Sequence, residues 1–171
     1  MSNLWTNIFK PKHNEEDTII SILMRIPVFE GLSRRELAQI ERILHQREYL
    51  KDEPLFFQGD PGLGMYIIVE GDVDIISEPN KHLLAELHAG EFLGELSLLD
   101  ESPRTASAIS KNASRLLCLF QSDLYDLMDR NPRLSVKILI QLARTIGARL
   151  KKTNEYVSQL KNGNSNLTPH G

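Results

Sequence analysis

Turn-forming clusters recur about every 8–12 residues between positions 46 and 120. They read Lys51-Asp52-Glu53-Pro54, Gln58-Gly59-Asp60-Pro61-Gly62, Glu70-Gly71-Asp72, Glu78-Pro79-Asn80-Lys81, His88-Ala89-Gly90 and Lys111-Asn112-Ala113. Short apolar runs fill the gaps, at 55–57, 65–69, 73–77, 83–87, 106–110 and 115–120. That cadence leaves little room for helices and predicts an antiparallel sandwich or barrel. Gly71 sits where a tight turn needs positive φ, a structural role.

The flanks have the helical period, which makes the whole chain α+β. Leu4, Trp5, Ile8 and Phe9 share one face of a short amphipathic stretch that Pro11 stops. The arm at 1–14 reads as packed on its own domain, as a docking peptide, or as a weak membrane-surface anchor. A helix is expected over 15–25, with Ile19, Ile22, Leu23 and Ile26 on its apolar face and Val28, Phe29 and Leu32 as a plug after Pro27. Ser33-Arg34-Arg35-Glu36 is a capping box that opens a second helix carrying Leu37, Ile40, Ile43 and Leu44, with His45 at its end. A short helix over 123–129 buries Leu124, Leu127 and Met128, and Asn131-Pro132 starts a long one reaching about 160. Leu139, Ala143, Ile146, Leu150, Thr153, Val157 and Leu160 alternate in steps of four and three, widened by Leu142 and Tyr156. This heptad seam predicts a parallel homodimer, or else a helix folded back on its own domain. The expected units are an arm at 1–14, a main domain at 15–130, a long helix at 131–160 and a flexible polar tail at 161–171.

At 171 residues with net charge −3, the chain can bury one sizeable core, and it lacks the basic balance of a general nucleic-acid binder. Cys118 is the single cysteine, so no internal disulfide forms and a reducing, cytoplasmic setting is expected. No apolar run approaches the length of a membrane span. His13, His45, His82, His88 and His170 show no metal-ligand spacing, and no nucleophile–base pair stands out. The expectation is no metal, no catalytic residue and no enzyme.

One stretch breaks the β cadence, Phe92-Leu93-Gly94-Glu95-Leu96-Ser97-Leu98-Leu99, followed by Asp100-Glu101-Ser102-Pro103-Arg104-Thr105-Ala106-Ser107. Gly94 admits close approach of backbone or ligand. A short helix over 95–99 offers free N–H groups to an anion, and the fork of Arg104 matches a phosphate. Thr105 and Ser107 add hydroxyls, and Ala106 keeps the backbone open. Glu95 fits beside a phosphate if the same ligand carries hydroxyl donors, as a ribose does. The alternative is a surface helix with Arg104 paired to a neighbouring carboxylate.

The ordered runs Gly-Glu-Leu-Ser-Leu-Leu at 94–99 and Ser-Pro-Arg-Thr-Ala-Ser at 102–107 resemble the phosphate-binding cassette of the cyclic nucleotide-binding domain family. Gly59-Asp60-Pro61-Gly62 and the run from Met65 through Val73 look like that family's early β-roll hairpins. The resemblance covers about 19–160. It implies an antiparallel double-stranded β-helix, a jelly-roll-like β-roll of the cAMP receptor protein type, flanked by helices. It implies that Glu95 accepts from a ribose 2′-OH, that Gly94 and Leu96 approach through backbone with Ser97 beside them, and that Arg104 pairs with the cyclic phosphate. Thr105 and Ala106 add contacts, Ile75 and Leu84 wall the base, and Arg149 and Leu150 on the long helix cover it. The implied ligand is cAMP, favoured over cGMP. Without a helix-turn-helix after the long helix, the expectation is a free-standing sensor signalling to a separate protein. The alternative is an interaction module on the same fold that binds no nucleotide.

Overall fold

The computed structural model describes residues 19–164, with side chains through residue 159. The expected arm at 1–14, the start of the 15–25 helix, the side chain of Leu160 and the tail beyond 164 lie outside the described residues. Period-two alternation pairs the middle region into two four-stranded antiparallel sheets. One runs β1 (His45–Tyr49), β8 (Ser114–Phe120), β3 (Gly64–Glu70), β6 (Phe92–Leu93). The other runs β2 (Pro54–Phe56), β7 (Ser107–Ser110), β4 (Asp72–Ser77), β5 (His82–His88). This is the jelly-roll-like β-roll, and Gly71 takes its β3–β4 turn at φ 90°. A Cβ there would collide with Ser114, so glycine is required twice over, by backbone and by space.

Helices close one side of the roll: α1 (Ile19–Leu23), α2 (Arg34–Glu41), α3 (Gln121–Arg130) and α4 (Pro132–Asn164). Val28 and Phe29, in a 3-10 turn, are buried with Leu23, Ile26, Leu37 and Ile40 against Met65, Ile67 and Leu119. A second, smaller cluster of Ile68, Val73, Leu93, Ala108 and Leu116 lies between strands of the two sheets. Each such aliphatic side chain contributes about 1.5–3 kcal/mol of transfer free energy. The second helix is shorter than its apolar pattern suggested. It ends at Glu41, and His45 opens β1, its Nε2 3.1 Å from Asp123 Oδ2.

The long helix divides into two halves. Leu134, Ile138 and Leu142 are fully buried, and Leu139 and Ile146 pack against the same core. From residue 148 to 159 every side chain is exposed. The upper positions of the predicted seam thus serve the chain's own core, while Leu150 and Val157 stay uncovered at 59% and 43% exposure. The helix also continues to Asn164, past the expected boundary at 160.

The two helical layers are locked by one carboxylate. In the capping box Ser33 N donates to Glu36 Oε2 at 2.8 Å, and Glu36 N donates back to Ser33 Oγ at 3.3 Å. The other oxygen of Glu36 receives Lys137 Nζ of α4 at 2.7 Å. Lys137 first, then Ser33, pull the Glu36 carboxyl down to about 2. A carboxyl lowered in the fold stabilises it above its unfolded pKa of about 4.3, and that support fades as pH falls toward 2. Glu36→Gln is therefore expected to cost about 1 kcal/mol at pH 7, with the gap to wild type closing below about pH 4. Urea denaturation across pH checks it; a gap that persists undiminished at low pH contradicts the pairing.

Candidate functional site

The site forms where the β cadence breaks. After β6 the chain turns at Gly94, whose φ of 74° lies in the left-handed region. It then makes a single 3-10 turn, Glu95–Leu98. The short helix expected over 95–99 thus forms in the tighter 3-10 geometry and ends at Leu98. Four residues cannot build a macrodipole of any size, so an anion here must be held mainly by side-chain charge. The following loop is set by an Asx turn in which Ser102 N donates to Asp100 Oδ1 at 2.7 Å, which holds the Asp100 carboxyl below the usual range. Arg104 N donates to Asp60 O at 2.8 Å and Gly59 N donates to Arg104 O at 2.9 Å. The Gly59–Asp60 turn thereby fixes the backbone of Arg104.

Arg104 is 7% exposed. Its Nη1 donates to Ser97 Oγ at 2.8 Å and, at 3.5 Å, to Gly94 O. Its Nη2 donates to Gly64 O at 2.8 Å, and the guanidinium lies 4.1 Å from the centre of the Phe56 ring. A Cβ at Gly94 would collide with Nη1, which is the local reason for glycine at that position. All acceptors are neutral, and Arg104 makes no ion pair among the described residues. Its buried Nε has no hydrogen-bond partner. Burial pushes its pKa below the usual arginine value, although the group is far too basic to lose its charge at neutral pH. The expected alternative, an arginine paired to a neighbouring carboxylate, is not what forms.

Glu95 is also buried, at 5% exposure. Its Oε1 accepts from Arg149 Nη1 at 2.7 Å. Arg149 Nη2 donates to Phe92 O at 3.2 Å, and its guanidinium lies 4.5 Å from the Phe92 ring centre. The pair links residues 54 positions apart, tying the cassette to α4.

Arg104, Glu95 and Arg149 line one cavity of about 570 Å³. Gly94, Leu96, Ser97, Thr105, Ala106 and Ile75 line it as well. Its apolar wall comes from Ile75 of β4, Ala85 and Leu87 of β5, Phe56 and Phe92. The volume falls in the range of small-molecule sites, roughly 300–1,000 Å³. Two expected residues are elsewhere. Leu84 is 55% exposed, because pairing of Ala85 with Ile75 puts Ala85 and Leu87 on the inner face and Leu84 on the outer one. Leu150 is 59% exposed, since one helical step of about 100° turns it away from the face that carries Arg149. Alternation counted back from Leu87 would have selected Ala85.

Among the described residues one group has metal-ligand geometry, Asp72, Glu86 and His88 on the outer face of the β4–β5 hairpin. Its charges are already matched. His88 Nδ1 is 2.8 Å from Asp72 Oδ1, Asn112 Nδ2 donates to Asp72 Oδ2 at 2.7 Å, and Lys111 Nζ is 2.6 Å from Glu86 Oε2. This is a tie between strands. No helix of the described residues is long and apolar enough to cross a membrane.

A cavity that joins a phosphate-sized cation to a carboxylate and an apolar wall has counterparts in known proteins. The cyclic AMP receptor protein of Thermus thermophilus is 35% identical over 123 residues, 70% of this chain and 57% of its own length. The cAMP-dependent protein kinase regulatory subunit of Mycosarcoma maydis is 37% identical over 94 residues, 54% of this chain and 18% of that one. The chain thus spans little more than half, or much less, of these curated relatives. The crystal structure of the Thermus thermophilus catabolite activator protein superposes with a TM-score of 0.70 at 33% identity, covering 79% of this chain and 63% of that one. Residues 46–131, which contain the two sheets and the cassette, match the family of the cyclic nucleotide-binding domain, and the chain belongs to that family.

Proposed function

We propose that the cavity binds a cyclic nucleotide monophosphate, cAMP in preference to cGMP, and that the chain acts as a regulatory sensor and not as an enzyme. One observation carries the reading: a buried guanidinium with neutral acceptors and an unpartnered Nε. A buried cation without a counter-ion is costly, and an anionic ligand supplies what the fold withholds. The cyclic phosphate pairs with Arg104, the base lies against Ile75, Ala85 and Leu87, and the ribose 2′-OH donates to Glu95. The names of the receptor and kinase-subunit relatives support cAMP.

The Glu95–Arg149 pair supplies a mechanism. A ribose hydroxyl and Arg149 compete for the same carboxylate, so occupancy changes what holds α4 at the level of residue 149. Below that level the helix is fixed by core packing; above it every side chain through residue 159 is exposed. Couplings of this kind are about 1–3 kcal/mol, and the ligand must bind the two poses unequally to exert any. The uncovered Leu150 and Val157, continued by Leu160 and supported by Leu139 and Ile146, then form a parallel seam with a second copy. A separate protein reads the resulting state.

Titration calorimetry tests the site. Arg104→Ala is expected to weaken cAMP binding at least about tenfold to a hundredfold, and Glu95→Ala to cost less. Absence of heat from wild type with either cAMP or cGMP at millimolar concentration sinks the reading in favour of an interaction module that binds no nucleotide. Hydrogen exchange tests the mechanism: saturating cAMP is expected to change amide protection in α4 beyond residue 149, and Arg149→Ala to remove most of the difference. An unchanged ligand response in that variant would show that Arg149 is not the link. Sedimentation tests the seam: Leu150→Asp with Val157→Asp is expected to convert a dimer into a monomer, and a wild type that is monomeric at all concentrations removes it.

A further inference from the structure

We infer that a trough on the helical side of the molecule, remote in the chain from the cassette, is a docking surface for an acidic peptide segment of another protein. Arg35, Gln39 and Arg42 of the α2 region and Asn131 at the α3–α4 junction line a cleft of about 590 Å³. Gln39, Arg42 and Asn131 also line the adjoining cleft of about 430 Å³, which reaches Asp126 and Arg130 on α3. The two are therefore one trough, crossing three elements. Asn131 Nδ2 donates to Gln39 Oε1 at 3.1 Å and sets its floor.

Its chemistry is specific. Arg35 and Arg42 are exposed and have no ion-pair partner among the described residues, although the chain as a whole is acidic at net charge −3. Nearby carboxylates are already engaged: Glu36 with Lys137, Asp123 with His45 and Asp126 with Arg130. The two arginines stand two helical turns apart, about 10 Å along the axis of α2. Carboxylates three residues apart on a polyproline II peptide lie on one face, separated by a similar distance, about 9 Å. Each guanidinium fork matches one carboxylate, and the amides of Gln39 and Asn131 between them suit a peptide backbone. The far end carries Asp123, Asp126 and Arg130, a mixed-charge rim that suits a polar residue and lacks the continuous basic track a phosphate backbone needs. These features favour a peptide of alternating character over a nucleic acid. The inference does not depend on nucleotide binding.

Fluorescence anisotropy of a labelled peptide repeating Glu-Ser-Gly-Glu, titrated with the whole chain at low salt, tests it. A single-stranded oligonucleotide of equal net charge serves as the comparison probe. Salt-sensitive peptide binding is expected, weakened at least about tenfold by Arg35→Ala with Arg42→Ala and changed less than about twofold by Arg34→Ala, which lies outside the trough. Calorimetry with cAMP on the same samples reports separately on the cavity, and thermal unfolding reports on retained folding. No peptide binding, equal binding by the double variant, or tighter binding of the oligonucleotide overturns the proposal.

Discussion

A positive charge kept out of water without a negative partner is the constraint on which this structure depends. Arg104 is held by the carbonyls of Gly64 and Gly94, the hydroxyl of Ser97 and the face of Phe56, none of which neutralises it. Around it the fold has conceded much. Gly94 must be glycine, the β cadence gives way to a 3-10 turn, and the chain on both sides of Arg104 is bonded to the Gly59–Asp60 turn. Local departures from regular structure of this kind gather at functional sites, where the surroundings over-determine a geometry that would not persist alone.

The frame that tolerates this is ordinary. Two sheets and a helical flank bury contiguous clusters of aliphatic side chains, and the site uses the margin of one cluster as its apolar wall. Rigid strands position the loop groups, and the loop groups carry the chemistry. The fold therefore belongs to one level of description and the proposed function to another, joined at a few atoms of Glu95, Arg104 and Arg149.

Much of this was legible in the residues because local rules dominate. Turn chemistry located β2–β5, β7 and β8, and the capping box at Ser33 located α2. β1 was not legible: His45, Gln46, Arg47 and Glu48 are exposed and polar, and only pairing with β8 makes them a strand. β6 is two residues long, too short for any period. Arg104 and Glu95 could be selected from the cassette, but their partners could not. The pairing of Arg149 with Glu95 spans 54 residues, and no local pattern reports it. Leu84 was misplaced because three consecutive apolar residues, Leu83, Leu84 and Ala85, hide the parity of the strand.

The last turns of α4 have a consequence of their own. From 150 to 159 every side chain of the helix is exposed, and isolated helices shorter than about 12–15 residues are marginal in water. The segment therefore relies on propagation from the anchored half of α4 and on whatever lies along it. In the proposed mechanism, a small event at a buried pocket would act on a rod whose far half has no cover of its own, and the reach of the response would be a matter of helix length.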